Sequence, residues 1–170
     1  GIAAVWITSA RPAPTPDVLR VEEAEVPAPG PGQTLVRIRA TGLNPVETYI
    51  RSGLGVHPVL PYTPGTDAAG EIAALGDDSP AFEAGQRVCL FGSLTGTYAE
   101  FTLCAPEHLL PLPDDLGFEQ GAAVGTPYVT AYRALFQRGR GAAGETVLVH
   151  GASGGVGLAA VQLALAAGLR

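Results

Sequence analysis

The feature that most constrains this chain is a cluster of glycines between an apolar run and an uncharged segment. Val147-Leu148-Val149 leads into Gly151-Ala152-Ser153-Gly154-Gly155-Val156-Gly157, and residues 158–167 then carry neither charge nor proline. This order predicts a strand over 145–149, a tight turn and a helix over 158–167. Glycine permits backbone conformations and close approaches that a Cβ would block. The sequence therefore predicts at least one βα unit with a glycine turn.

The spacing of these glycines matches a dinucleotide-binding turn with one departure. The pattern is Ala152-x-Gly154-x-x-Gly157, so alanine stands where the usual fingerprint has its first glycine. Gly154 would let the backbone approach a phosphate, and Gly157 would let the helix pack close to the strand. The start of the helix offers unpaired N–H groups to an anion. We predict a pyrophosphate site here, and a purely structural glycine turn is the alternative.

Composition predicts a globular protein and argues against several other classes. Of the 170 residues, 46% are hydrophobic and 15% are charged, and no apolar run reaches the ~20 residues that a membrane span needs. The net charge is −6 and no basic run occurs, so nucleic-acid binding has no support from the charge pattern. Without a secretory signal pattern, we expect a cytoplasmic protein.

Cysteine and histidine are too few and too scattered for a zinc site. Cys89 and Cys104 are the only cysteines, which excludes a disulfide scaffold and a four-cysteine site. We expect both to be buried, inert thiols. His57, His108 and His150 lack partners at ligand spacing, so no metal is predicted.

Residues before the glycine turn indicate a small, largely antiparallel β domain of the barrel type, followed by helices. Short strands are predicted over 2–7, 18–26, 34–40, 65–76 (with a turn around Gly70), 87–91 and 97–103. Alternation over 34–40 predicts one wet face. Two later helices are predicted over 118–124 and 127–136, the second beginning at Pro127.

A short helix after the third strand carries several candidate residues. Asn44 would be its cap and Pro45 would stand in its first turn, with Val46, Tyr49 and Ile50 as an apolar stripe.

Polar residues in and around this helix also have simpler interpretations. Glu47 and Arg51 are spaced as a helix-stabilising pair, and Asp67 would be a solvated turn carboxylate. Thr130 would be an ordinary helix residue, and His150 would be structural.

Five segments together carry a resemblance to a known family. They are residues 44–53 (NPVETYIRSG), 60–65 (LPYTPG), 120–123 (QGAA), 130–135 (TAYRAL) and 149–157 (VHGASGGVG). From about Val5 to Arg170 the chain resembles the zeta-crystallin-type NADPH:quinone oxidoreductases, the zinc-free branch of the medium-chain dehydrogenase/reductase superfamily. The first and last segments are specific for that branch, whereas the glycine turn alone indicates only the superfamily.

The resemblance implies an α/β fold in which a GroES-like β-barrel domain precedes the first βα unit(s) of a truncated Rossmann domain. The implied boundaries are residues 1–122 for the GroES-like catalytic domain and 123–170 for the linking helix and the start of the NADP-binding domain. We expect the sequence to be the front part of a longer, homo-oligomeric protein. We also expect this segment alone to be inactive and to bind NADPH weakly or not at all.

The resemblance also implies the site residues, with NADPH in the cleft between the two domains. The turn that binds the pyrophosphate comprises Ser153, Gly154, Gly155, Val156 and Gly157. Tyr49 matches the tyrosine that flanks the nicotinamide, and Asn44 and Thr130 match positions near that ring. Asn44 and Tyr49 are the catalytic candidates, because either could hydrogen-bond a quinone oxygen as charge builds there. The prediction of NADP as the cofactor is implied by the resemblance alone.

The leading functional prediction is zinc-independent reduction of a quinone, or of another small electrophile, by NADPH. Zinc alcohol dehydrogenases of the superfamily have a cysteine where Asn44 stands and a His-Glu pair near Thr66-Asp67, and this sequence has neither. One alternative is a zinc-free reductase of enoyl thioesters or enones. Another is a non-catalytic role, either crystallin packing or RNA binding, and the acidic balance argues against RNA.

Overall fold

The computed structural model describes residues 15–78 and 82–170 in full and residues 2–7 by their backbone. The chain divides into two compact units, Gly1–Ala122 and Ala123–Arg170. None of the helices in the described ranges is both long and apolar enough to cross a membrane.

The first unit is built from antiparallel strands. In chain order they are β1 (Ile2–Ile7), β2 (Leu19–Ala24), β3 (Thr34–Thr41), β4 (Asp67–Leu75), β5 (Arg87–Phe91), β6 (Phe101–Cys104) and β7 (Leu109–Pro111). Strands β1 and β2 pair with each other, and the other strands form one sheet in the order β6-β3-β4-β5-β7. The buried core includes Val36, Val88, Leu90 and Cys104. The predicted strands are confirmed, but two have different limits. The strand predicted over 18–26 is shorter at both ends (β2), and the strand predicted over 97–103 begins only at Phe101 (β6).

Strand β4 runs without interruption through Gly70, so the predicted turn there is wrong. Gly70 pairs with Ile38 at a point where the register between β3 and β4 shifts. A Cβ added at Gly70 would lie 2.1 Å from the carbonyl oxygen of Arg37. Glycine is therefore needed because β3 approaches the backbone closely, not because the chain turns.

Strand β3 has a wet face along only part of its length. Arg37 and Arg39 are exposed, as the alternation predicts. Leu35 lies on the same face but is 6% exposed, so the face is covered at its first position.

Helix α1 (Pro45–Arg51) begins after Asn44, as predicted, but the predicted apolar stripe is wrong. Val46 is 39% exposed and Tyr49 is 54% exposed, whereas Glu47 is only 6% exposed. A carboxylate can be buried here because its oxygens accept hydrogen bonds inside the unit.

Helix α2 (Phe118–Tyr132) passes through Pro127, and a π-helical segment, Arg133–Arg138, follows it. The prediction of two separate helices is therefore wrong. Proline removes a backbone donor inside a helix. Packing offsets this cost because Ala131, one turn further on, is buried against Ala159 and Ala160.

Helix α3 (Gly155–Ala166) starts three residues earlier than predicted, since its first hydrogen bond runs from the Leu158 N–H to the Gly154 carbonyl, 2.8 Å. Residues 145–149 do not form a strand ladder, which corrects that prediction. Instead, the Val147 N–H bonds the Arg170 carbonyl at 2.7 Å, and the Arg170 N–H bonds the Glu145 carbonyl at 2.8 Å. This is the pattern of a parallel β-bridge. It is too short for a ladder, because among the described residues only Arg170 supplies a partner.

Candidate functional site

Asn44 is held by two acidic residues from two different elements. Its backbone N–H donates to Oε2 of Glu47 in α1, at 2.8 Å. Its side-chain Nδ2 donates to Oδ2 of Asp67, the first residue of β4, at 2.9 Å. The residue predicted as a helix cap therefore also connects α1 to the central sheet.

Glu47 is the buried centre of this arrangement. Its Oε2 accepts hydrogen bonds from Asn44 and from the hydroxyl of Tyr98, the latter at 2.5 Å. Its Oε1 lies 3.5 Å from Oγ1 of Thr66. Burial, followed by the hydrogen bond and the charge of Glu47 and the charge of Asp67, raises the pKa of Tyr98 well above its usual value. Tyr98 therefore stays protonated and can donate at any pH near neutrality.

Asp67 is 1% exposed, so the prediction of a solvated turn carboxylate is wrong. Its backbone carbonyl, like its side chain, accepts hydrogen bonds. The carbonyl oxygen accepts hydrogen bonds from the Gly42 N–H at 2.8 Å, from Oγ1 of Thr41 at 3.0 Å and from Oγ1 of Thr97 at 3.3 Å. Several strand and loop segments thus converge on the start of β4.

Tyr49 lies outside this buried network of hydrogen bonds. It is 54% exposed, and its carbonyl accepts hydrogen bonds from Oγ of Ser52 and from the Leu54 N–H, both at 2.8 Å. Leu43 and Leu54 nearby in the chain are also exposed, at 79% and 64%. The side chain of Tyr49 is therefore accessible to a ligand.

Two clefts flank Glu47, and both are in the first unit. The first has a volume of about 450 Å³ and is lined by apolar side chains such as Ile50 and Leu94, together with Tyr62. The second, of about 390 Å³, is lined by Asn44, Glu47 and Tyr98 among others. Tyr49 lines neither cleft. Sequence reasoning missed Tyr98 entirely, because its partner in α1 is 51 residues distant.

Tyr62 carries a buried hydroxyl beside the first cleft. Its oxygen has no hydrogen-bond partner among the described residues. Burial raises the pKa of Tyr62, the charge of Arg51 opposes this, and the charge of Glu47 adds to it. The group is therefore neutral near neutral pH.

In the second unit, Gly157 at the start of α3 packs directly against the backbone of Gly151, at the beginning of the glycine turn. Gly151 has φ of +74°, and a Cβ at Gly157 would lie 2.1 Å from the carbonyl oxygen of Gly151. A Cβ at Gly154 would meet only that same oxygen, at 3.5 Å, which is ordinary contact. The protein's own packing therefore requires glycine at 157 and not at 154.

The open donors of this turn come from the first turn of α3. The Gly154 N–H bonds Gly151 within the turn, at 3.0 Å. The N–H groups of Gly155, Val156 and Gly157 precede the first intrahelical bond and have no acceptor inside the helix. Residues 150–156 are exposed. An anion could therefore reach the N–H groups of Gly155 and Val156, whereas Gly157 is buried. The partial positive charge of the helix start would favour the anion.

Thr130 is exposed on α2, close along the chain to the point where α2 meets the turn. The ring of Pro127, three residues earlier, lies 3.6 Å from the position of a Cβ on Gly155. Tyr128 donates a hydrogen bond to Gln162 in α3. The second unit thus packs the part of α2 that carries Thr130 against α3.

The described residues contain no cluster of three or more histidine, cysteine or acidic side chains that could hold a metal. Cys89 and Cys104 are free and buried, as predicted. Burial raises the pKa of both thiols, to about 12 for Cys104. His108 accepts a hydrogen bond at Nδ1 from the Ala105 N–H, at 3.3 Å.

Comparison with known proteins identifies the family. Residues 30–114 match the model of the alcohol dehydrogenase GroES-like domain. The chain therefore belongs to the alcohol dehydrogenase GroES-like family, and the predicted α/β fold with a GroES-like unit is confirmed.

Within that family the chain is similar to quinone oxidoreductases. It is 55% identical over 157 residues to the quinone oxidoreductase of Rattus norvegicus, which covers 91% of this chain and 48% of the rat protein. A solved quinone oxidoreductase of Pseudomonas syringae has a TM-score of 0.90 and 36% identity, covering 100% of this chain and 51% of that one. A mycobacterial protein solved in complex with NADPH has a TM-score of 0.90 and 33% identity, over 100% and 52%. The chain spans about half the length of these relatives.

Proposed function

We propose that this chain supplies the GroES-like unit and the first nucleotide-binding turn of an NADPH-dependent quinone reductase. The observation that carries the proposal is the glycine turn, in which Gly157 packs on Gly151 and leaves exposed N–H groups at the start of α3. The similarity to quinone oxidoreductases and to a structure with NADPH supports the choice of acceptor and cofactor.

In this proposal the cofactor's pyrophosphate lies on the turn from Ser153 to Gly157. Backbone N–H groups bind the phosphate oxygens, and exposed Thr130 lies near the nicotinamide. When bound, NADPH supplies the hydride or electrons.

The first unit orients the acceptor. Tyr49 offers an exposed ring against which a planar quinone could stack. Asn44, fixed by Asp67, offers hydrogen bonds to the ring or to the acceptor. These two residues are the proposed catalytic residues.

The reaction is proposed to need no zinc. The positions that would hold ligands in zinc relatives carry Asn44, Thr66 and Asp67. Asn44 and Asp67 bond each other at 2.9 Å, and Thr66 faces Glu47 at 3.5 Å. An amide and a hydroxyl are poor replacements for the thiolate and imidazole that zinc prefers. Activity is therefore expected to survive treatment with a strong zinc chelator.

The proposal assigns residues 1–122 to the GroES-like catalytic domain and 123–170 to the linking helix and the beginning of the NADP-binding domain. The full-length protein is proposed to be cytoplasmic and homo-oligomeric. The 170-residue chain alone is expected to be inactive, and micromolar binding of NADPH to it would contradict that expectation.

The deciding assay uses the full-length gene product with NADPH and two acceptors, 9,10-phenanthrenequinone and a crotonyl thioester. Quinone-dependent oxidation of NADPH is expected. Preference for the thioester would support the enoyl reductase instead, and failure with both would reject the enzyme proposal. A Tyr49→Phe variant with unchanged turnover and unchanged NADPH affinity would exclude a hydrogen-bonding role for the Tyr49 hydroxyl, and an unchanged Tyr49→Ala variant would exclude stacking on its ring.

A further inference from the structure

The amide of Asn44 can be oriented from the chemistry of its partner. A carboxylate oxygen that carries no proton can only accept a hydrogen bond, so it pairs with the nitrogen of an amide and not with its oxygen. In the structure Nδ2 of Asn44 donates to Oδ2 of buried Asp67 at 2.9 Å. The oxygen Oδ1 and the second N–H of the amide are then directed elsewhere.

The remaining amide atoms are available to a ligand. The described hydrogen bonds of Asn44 use its backbone N–H, its carbonyl and Nδ2, and none of them reaches Oδ1. Asn44 also lines the cleft of about 390 Å³. A ligand in this cleft that reached the amide would meet one acceptor and one donor in a fixed order.

The backbone of Asn44 is fixed independently of its side chain. Glu47 accepts the Asn44 N–H at 2.8 Å, and Tyr98 holds the same carboxylate oxygen at 2.5 Å. Tyr98 is held in turn, because its N–H bonds the Pro64 carbonyl at 3.0 Å. Its ring lies so close to Gly65 that a Cβ there would be 2.6 Å from a ring carbon.

We propose that Asp67 is a positioning residue that sets which way the Asn44 amide faces, and that the Glu47–Tyr98 pair fixes the backbone to which this amide is attached. Asp67 acts only through Asn44 and does not itself touch the substrate. Loss of Asp67 would let the amide rotate and exchange its donor and acceptor. The effect on catalysis rests on the proposed function, whereas the orientation itself does not.

The orientation can be tested on the 170-residue chain by NMR, without any enzyme activity. The side-chain amide signals of Asn44 are assigned by their absence from an Asn44→Ala variant. One of the two Nδ2 protons is expected to exchange with solvent at least tenfold more slowly than the other, because it is bonded to a buried carboxylate. Equal, rapid exchange of both protons would overturn the proposal.

A double-mutant cycle in the full-length protein tests whether Asp67 acts through Asn44. Asp67→Ala, which removes both acceptor oxygens, is expected to lower kcat about tenfold, with a smaller effect on the KM for quinone. In an Asn44→Ala background the same change should alter kcat less than twofold, because there is no amide left to orient. The same factor in both backgrounds would show that Asp67 is merely structural and would overturn the proposal.

The orientation of the Asn44 amide can be tested independently of the proposed function. If the unsubstituted full-length protein does not reduce quinones, the proposed function fails. The exchange rates of the Asn44 amide protons still decide the orientation in that case. Glu71→Gln is the matched control for the NMR experiment, because Glu71 lies on the same strand but pairs with Arg39 on the surface.

Discussion

The hydroxyl of Tyr98 lies 2.5 Å from Oε2 of Glu47, although 51 residues separate the two in the sequence. Glu47 is the one residue of α1 that is buried. The contact between α1 and the segment before β6 is therefore a hydrogen bond to a carboxylate, where most surface helices would use apolar side chains. A carboxylate that loses a donor in such a place cannot be re-solvated easily.

Tyr98→Phe is therefore expected to destabilise the chain. It keeps the ring and removes one hydrogen bond to a charged group, which contributes about 1.5–3 kcal/mol. Urea unfolding followed by circular dichroism measures the loss. Tyr49→Phe is the matched control, because exposed Tyr49 should change the free energy of unfolding by less than about 0.5 kcal/mol. Equal effects of the two substitutions would contradict the assigned role of Tyr98.

Gly157→Ala is expected to distort the glycine turn. The new Cβ would fall 2.1 Å from the Gly151 carbonyl oxygen and 2.8 Å from the Cα of Ala152, so backbone must move. Overpacking of this kind costs about 1–3 kcal/mol. Thermal unfolding of Gly157→Ala should show this loss, whereas Gly154→Ala, with its nearest atom at 3.5 Å, should remain within about 1 kcal/mol of the parent. The reverse order of stability would argue against the described packing.

Gly155→Pro removes one proposed phosphate donor with little cost to α3. Gly155 is the first helical residue, and the residue before it, Gly154, is extended with φ of −82° and ψ of 165°. Proline is favoured at such a position. A lost hydrogen bond to a charged phosphate should raise the Kd for NADPH of the full-length protein about tenfold or more. Gly155→Ala keeps the N–H and should bind as the parent does. If both variants bind equally, this N–H does not contact the phosphate.

Stability is expected to fall at alkaline pH because of Cys104. Burial raises the pKa of its thiol from 9.0 to about 12. Between these values the unfolded chain has lost a proton that the folded chain keeps, so the free energy of unfolding falls by about 1.4 kcal/mol per pH unit. Below pH 9 this contribution is fully present. Urea unfolding at pH 8 to 11 should show the decline, and Cys104→Ala should make it shallower. An identical slope in that variant would exclude the thiol as its source.

Local signals in the sequence were sufficient for much of the fold. Asn44 before Pro45 predicts the start of α1, and the glycine spacing predicts the turn before α3, because caps and turns depend on adjacent residues. The short strands follow from alternation and from proline and glycine punctuation. These features need no knowledge of distant parts of the chain.

The errors arise where a distant contact overrides a local preference. Glu47 is buried because Tyr98 reaches it, and Asp67 is buried because Asn44 bonds it. Gly70 resembles a turn residue, but β3 approaches it within the sheet. Pro127 is typical of the first turn of a helix, but the packing of Ala131 stabilises α2 on both sides of this proline. A single sequence contains no direct record of these pairings.

The two cysteines have a practical consequence. Cys89 is 7% exposed on interior strand β5, and Cys104 is 0% exposed at the end of edge strand β6. Thiolates, not thiols, attack electrophiles, and burial keeps both sulfurs protonated. At neutral pH an alkylating reagent would therefore modify a cysteine only in molecules whose sheet has locally unfolded. The rate of labelling would then measure how often the strand that carries that cysteine opens. Different labelling rates at the two positions would distinguish fraying of edge strand β6 from opening of the sheet at interior strand β5.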